Sequence, residues 1–203
     1  MVRLYWPAQL RPAFDALFDI DGAMADVVAR ATEPALAAIK LAWWRERLED
    51  LDEGKVPAEP RLQAAADELL PRGISGAALS SLEAGWSGLL RDDRPDTASV
   101  ADHGTRLFEL GSWVLGVPFD DDTIGAAGRL FAGVAAARLG LVDLPAGNSG
   151  SRDPRIPARV RPLTALAALA ARDIHRGGPT FEPEATPGRA LALLRHRLMG
   201  RLS

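Results

Sequence analysis

Apolar residues recur along most of this chain at three- and four-residue steps, and the alternation that marks a half-buried strand is nearly absent. Steps of that size return to one side of an α-helix. The pattern therefore predicts an all-α protein, a single-domain helical bundle over residues 1–203. The first helix is expected to start near Pro12, with Phe14, Phe18, Asp21, Ala25 and Val28 on one face. The second is expected over about 34–53. There Leu41, Trp44, Leu48 and Leu51 form a stripe, with Leu36, Ile39 and Trp43 beside it. So wide an apolar face suits a central helix covered on two sides. Further helices are predicted over about 61–70, 75–90, 100–116, 118–140, 163–175 and 189–202.

Local punctuation supports these boundaries. Thr32-Glu33-Pro34 reads as a helix start, with a hydroxyl cap, an acid and a proline where no donor is needed. Gly54 suits a helix end, and Pro57 and Pro60 follow it in a loop. Ser75 is placed to cap the fourth helix, and residues 92–96 read as a polar turn. A Gly/Ser/Pro/Arg loop at about 145–157 precedes the two C-terminal helices, which a Gly/Pro-rich connector at 177–188 separates.

Composition narrows the function classes. The chain is 47% apolar and 25% charged, as in ordinary globular proteins. It has no cysteine, which excludes disulfides and thiolate metal sites. His103, His175 and His196 have no zinc-site spacing. No apolar run reaches the roughly 20 residues needed to span a bilayer, and residues 1–7 lack a leader's apolar region. The expected address is cytoplasmic.

From residue 152 onward there are ten Arg and four acids, a net of +6, which leaves −9 for the rest of a chain whose net charge is −3. The basic segment is expected to dock on the acidic remainder, with an external anionic partner as the alternative. Nucleic acid is not an expected partner of an acidic chain without a recognition motif.

Most candidate chemistry has a plain structural reading. Asp120, Asp121 and Asp122 are contiguous, so they point in different directions and suit a helix start better than a metal site. Asp15 and Asp19 share a face but read as solvated. Asp21 is expected at a boundary with its carboxylate in water, because an unpaired buried acid is costly. Trp43, Trp44, Trp86 and Trp113 read as core, with a lipid-shaped cavity as the alternative. In the last helix Leu191, Leu194, Leu198 and Leu202 form one face while Arg195, Arg197 and Arg201 lie elsewhere. Such a helix either docks on the bundle or lies on an anionic membrane surface, so peripheral membrane contact is a second expectation for localisation. No Ser/His/Asp triad, P-loop or dinucleotide fingerprint is present.

The sharpest local signal is Leu41-Ala42-Trp43-Trp44-Arg45-Glu46, soon after Glu33-Pro34. It resembles the squalene/phytoene synthase family, all-α enzymes of the isoprenoid synthase fold that join two prenyl diphosphates. Residues 79–89, 104–116 and 128–140 are similar to later helices of that family, so the likeness covers about 12–145. The family holds Mg²⁺ with paired aspartates on facing helices, and these neutralise the diphosphate leaving group.

Aligned on the tryptophan pair, the first two acids fall 18 and 14 residues before Trp43, at Ala25 and Ala29, with Asp26 between them. The second motif corresponds to residues 135–139, where Arg138 matches, Leu139 replaces the leading acid and Asp143 matches the trailing one. Gly88 stands where a mid-chain acid is usual. Alanine, leucine and glycine side chains offer Mg²⁺ no oxygen.

The resemblance thus implies a protein that does not catalyse the metal-dependent condensation and has no cofactor. It implies an isoprenoid- or lipid-binding role, or one like that of the phytoene-synthase-like factor in respiratory complex I assembly, with a protein partner. Its candidate ligand-binding residues are Asp21, Asp26, Trp43, Trp44, Arg138 and Asp143. The alternative is an active prenyltransferase in which Asp21, Asp26 and Asp143 hold the Mg²⁺.

Overall fold

Helix capping and close glycine contacts set the frame of this fold. A computed structural model describes residues 2–90, 97–145, 155–177 and 180–202. The described residues form helices and loops, with no strand among them. The main helices are α1 (Arg11–Ala29), α2 (Pro34–Leu51), α3 (Pro60–Glu68), α4 (Gly76–Ser80), α5 (Glu83–Ser87), α6 (Thr97–Leu115), α7 (Ala126–Arg138), α8 (Arg161–Arg176) and α9 (Pro187–Met199). The expected boundaries hold to within a few residues, except that the predicted fourth helix is two short ones and that the predicted sixth opens with a π-helical turn, Asp121–Gly125, before α7. Ser80 and Ser81 turn their hydroxyls back to the carbonyls of Ala77 and Ala78 at the break between α4 and α5, a local competition that weakens helix continuity. The predicted turn at 92–96 lies outside the described residues, as does most of the loop at 145–157.

Caps account for several starts. Glu59 accepts hydrogen bonds from the Arg61 and Leu62 amides, and Ser75 accepts one from the Ala78 amide. Asp52, just beyond α2, accepts from the Gly76 and Ala77 amides at 2.6 and 2.8 Å. It thereby pins the start of α4 against the end of α2. Gly76 is required there, since a Cβ would lie 1.9 Å from the Leu48 carbonyl oxygen. At α2 the cap position belongs to Glu33 and not to Thr32, and Glu33 makes no side-chain capping bond.

One apolar cluster joins α1 to α2, α3, α5, α6 and α8. Phe14, Leu17, Ile20 and Met24 of α1 meet Leu107, Phe108 and Leu110 of α6, all at 0% exposure. Trp6 extends this core by stacking on Phe14 and Phe18, with ring centroids 4.7 and 5.6 Å away. The central place expected for α2 therefore falls to α1. Helix α2 buries the stripe Ala37, Leu41, Trp44, Leu48 and Leu51 and leaves Leu36, Ile39 and Trp43 exposed.

In the second half α6 packs on α7, α7 on α8, and α8 on α9, with the α6–α7 contact the most extensive. The α6–α7 crossing passes through Gly104 and Gly128, where each glycine faces the other's carbonyl. Among the described residues, no helix is long and apolar enough to cross a membrane.

Candidate functional site

Two buried polar clusters and one surface cleft hold the described side chains with chemistry to offer. The first cluster is built on Asp21. Its carboxylate Oδ1 accepts a hydrogen bond from Trp86 Nε1 of α5 at 2.8 Å and lies 2.8 Å from His103 Nε2 of α6. The other ring nitrogen, Nδ1, faces the Leu82 carbonyl at 3.3 Å. Gly85 makes room for the imidazole, because a Cβ there would sit 2.3 Å from His103 Cβ.

Both ring nitrogens of His103 thus face oxygen atoms. Trp86 lies edge-on to the ring, with centroids 4.8 Å apart. The side chains of His103 and Asp21 are 4% and 10% exposed. A general acid or base must reach its substrate, and this cluster is sealed by the core. Its role is to tie α1, α5 and α6 together. The sequence expectation of a solvated Asp21 is corrected here, because Trp86 and His103 remove the penalty of an unpaired acid.

Asp21→Leu strips the buried Trp86 Nε1 donor of its acceptor and His103 of its carboxylate neighbour. It should cost about 1–3 kcal/mol, measured as a lower urea midpoint at unchanged slope. Asp21→Asn, which keeps an acceptor oxygen, should lose less. Equal losses in both variants would show that the hydrogen bonds contribute nothing beyond shape.

The second cluster centres on Asp173 of α8, whose side chain is 1% exposed. Arg138 Nε of α7 donates to Oδ2 at 3.0 Å, and Arg189 NH1 of α9 donates to Oδ1 at 2.8 Å. Arg138 also donates to the Glu182 carbonyl at 3.0 Å and lies 4.8 Å from the Phe181 ring centroid. Beside it, Glu182 accepts from Arg172 Nε at 2.7 Å and from the Thr186 hydroxyl at 2.5 Å. Thr186 in turn caps α9 through the Arg189 amide. The connector before α9 is thereby stitched to α7 and α8.

The hydrogen bond from Arg172, followed by that from Thr186, holds the Glu182 carboxyl down at about 2 from an ordinary 4.5. A lowered folded-state value means the bonds stabilise the fold fully above about 4.5 and are lost as pH falls towards about 2. The gap in urea midpoint between wild type and Glu182→Gln should therefore be constant near neutrality and close on acidification to about 2. A gap that persists there would assign the effect to packing.

The cleft, of about 250 Å³, opens at the surface between the end of α1 and the start of α2. Ala23, Val27, Leu36 and Ala37 line it, with Asp26, Arg30, Glu33 and Lys40 also on its walls. Asp26 is exposed and pairs with Arg30 at 3.2 Å. Ligand sites that bury a small molecule run to roughly 300–1,000 Å³ with mostly apolar walls, so this cleft is small and strongly charged.

The six candidate residues from the sequence are scattered. Asp21 is in the core and Asp26 lies on the other side of α1, in the cleft. Asp143 is exposed beyond α7. Arg138 belongs to the Asp173 cluster. Trp44 is 7% exposed in the core, while Trp43 is 42% exposed and edge-on to it at 5.2 Å. Among the other tryptophans, Trp86 is core and Trp113 is exposed.

The Mg²⁺ positions fare no better. Ala25 is buried against the core, Leu139 is exposed and Gly88 packs against Ser99. These residues do not fit the metal, and no three His, Asp or Glu converge on one point among the described residues. Asp120 caps the turn before α7 through the Asp122 amide, as expected, and Asp121 pairs with Arg129 at 2.8 Å. Asp15 pairs with Arg3 at 2.6 Å.

The sequence reading did not single out His103, Asp173 or Arg189. A signal existed: His103 falls on the stripe of Leu107, Leu110 and Val114, and Asp173 on that of Leu163 and Ala170. Comparison with protein-family models, curated proteins and solved structures finds no match.

Proposed function

We propose that this chain is a squalene/phytoene-synthase-like helical protein that performs no Mg²⁺-dependent condensation and serves as an assembly or scaffolding factor, acting through its surface. Its membership of the isoprenoid synthase fold is part of this proposal. One observation carries it. Side chains of α1 and α6 meet at 0% exposure in the middle of the core, where a prenyl diphosphate enzyme needs an open apolar chamber to shelter a carbocation from water. Of the two roles that the resemblance implies, a filled centre supports assembly over enclosure of an isoprenoid. The separate settings of Asp21, Asp26 and Asp143 add to this, since shared metal ligation needs them around one space.

The test is incubation of the purified protein with farnesyl or geranylgeranyl diphosphate and Mg²⁺. Pyrophosphate release should stay at the rate without protein. Release above that rate, abolished by chelating the metal, would overturn the proposal in favour of displaced catalytic acids.

A further inference from the structure

Helix α9 sits on the bundle by the face its sequence does not advertise. Its buried residues are Arg189, Leu193 and His196, spaced i, i+4 and i+7. The predicted docking stripe points the opposite way: Leu191, Leu194 and Leu198 are 58%, 51% and 66% exposed, and Met199 is 51% exposed beside them. Only Leu202, beyond the helix, packs back on the core.

The helix cannot roll over to bury these leucines without breaking its anchors. Arg189 is paired with Asp173 at one end. Leu193 packs with Ala165 and Leu169. His196 lies 3.0 Å from the Thr164 hydroxyl and 2.8 Å from the Arg201 carbonyl. Arg161 donates to the Arg197 carbonyl at the other end. Gly200 closes this end with φ +69 and the Ile156 amide on its carbonyl. The leucine face is therefore held outward by polar contacts.

The charge that α9 and the chain after it carry is of one sign. From residue 185 to 203 there is no acid, and Arg195, Arg197 and Arg201 are exposed. In angle, Arg195 and Arg197 flank the leucine stripe on either side. The sequence expectation that the arginines of the C-terminal segment pair with the acidic remainder of the chain is not met among the described residues. Their ion pairs among the described residues go to Asp173, Glu182 and Glu184 of the same segment. Arg155, Arg159, Arg195 and Arg201 form none among the described residues.

We infer that α9 is a membrane-docking helix that lies flat on an anionic lipid surface, with Leu191, Leu194 and Leu198 among the acyl chains and the flanking arginines at the headgroups. A convex leucine ridge with basic flanks suits that occupant: the arginine stems reach along apolar surface and keep their charges at the phosphates. The inference stands independently of the reading of the bundle centre, and vesicle binding is expected whatever the pyrophosphate assay returns.

The experiment is cosedimentation of the full chain, at low salt, with vesicles of phosphatidylcholine alone or of equal parts phosphatidylcholine and phosphatidylglycerol. Binding should occur to the anionic vesicles and be weak on the neutral ones. Replacing Arg195 and Arg201 by Gln should weaken binding about 5-fold for each charge removed. Leu191→Gln, Leu194→Gln and Leu198→Gln together should bring it to background, at about 10-fold or more for each leucine. The melting curve should be unchanged, because these side chains are outside the core.

Failure to bind anionic vesicles, or equal binding by the triple variant, overturns the inference. So does a wild-type dimer by sedimentation velocity that the triple variant converts to a monomer, since the face would then be covered by a second copy.

Discussion

Asp173→Leu is expected to be among the most damaging single substitutions in this protein, lowering stability by about 3–5 kcal/mol. The reason is what it leaves behind. Asp173 accepts from both Arg138 and Arg189, and the Arg189 side chain is 4% exposed. Without the carboxylate, a guanidinium stays in the core with only the exposed Glu184 carboxylate, 3.6 Å away, as counter-charge, and its Nε already lacks a hydrogen-bond partner among the described residues. Domains of this kind hold about 5–15 kcal/mol in total, so the loss brings the variant close to unfolding. A melting temperature lower by roughly 10 °C or more should be seen.

The pair Asp173→Leu with Arg189→Met should recover part of that loss, since it removes the stranded charge along with its partner. A single-variant loss below about 1 kcal/mol would mean that Arg189 escapes to water. Because Arg189 also anchors α9, the double variant separates the energetics of the ion pair from the seating of that helix.

Gly128→Val should cost about 3 kcal/mol or more, at the upper end of overpacking effects. A Cβ on Gly128 would lie 2.1 Å from the Gly104 carbonyl oxygen, and one on Gly104 would lie 2.2 Å from the Gly128 oxygen. The obstacle in each case is backbone and not a flexible side-chain end, so α6 and α7 must separate. That separation pulls on Ala132 and Phe108, which pack at the same crossing. Gly22 supplies the contrast. It lies inside α1, is exposed, and a Cβ there would meet nothing within 4 Å. Gly22→Ala should raise stability by up to about 1 kcal/mol through helix propensity. Comparable losses at the two glycines, measured by urea unfolding, would refute the account of the crossing.

The two glycines illustrate what the chain's own pattern can say. Both sit in stretches that read as helix, and both are helical. Nothing in the local pattern distinguishes Gly22, which has open space, from Gly128, which has a backbone oxygen opposite. The same holds for acids. Asp21 lies on a visibly apolar face, yet whether it would be solvated or paired depended on Trp86 and His103, 65 and 82 positions further on. The candidate site suffered most from this. Asp26, Arg138 and Asp143 were chosen by position in a motif, and position does not say that Arg138 will turn to Asp173 or Asp26 to Arg30.

Helix α9 returns to the same division. Its existence was legible, because backbone hydrogen bonds within a helix act over a few residues, although it starts at Pro187 and ends at Met199 where 189–202 was expected. The all-helical class followed from the 3.6-residue period for the same reason. Which face of α9 meets the bundle was decided elsewhere. The leucine stripe is the more apolar face, but Asp173 offers Arg189 a buried partner, and Thr164 and the Arg201 carbonyl hold His196. Those groups come together only when α7, α8 and the chain end have packed. Helix formation is local and can be read residue by residue, whereas the choice of face is settled by partners distant in sequence, and here they turned the leucines outward.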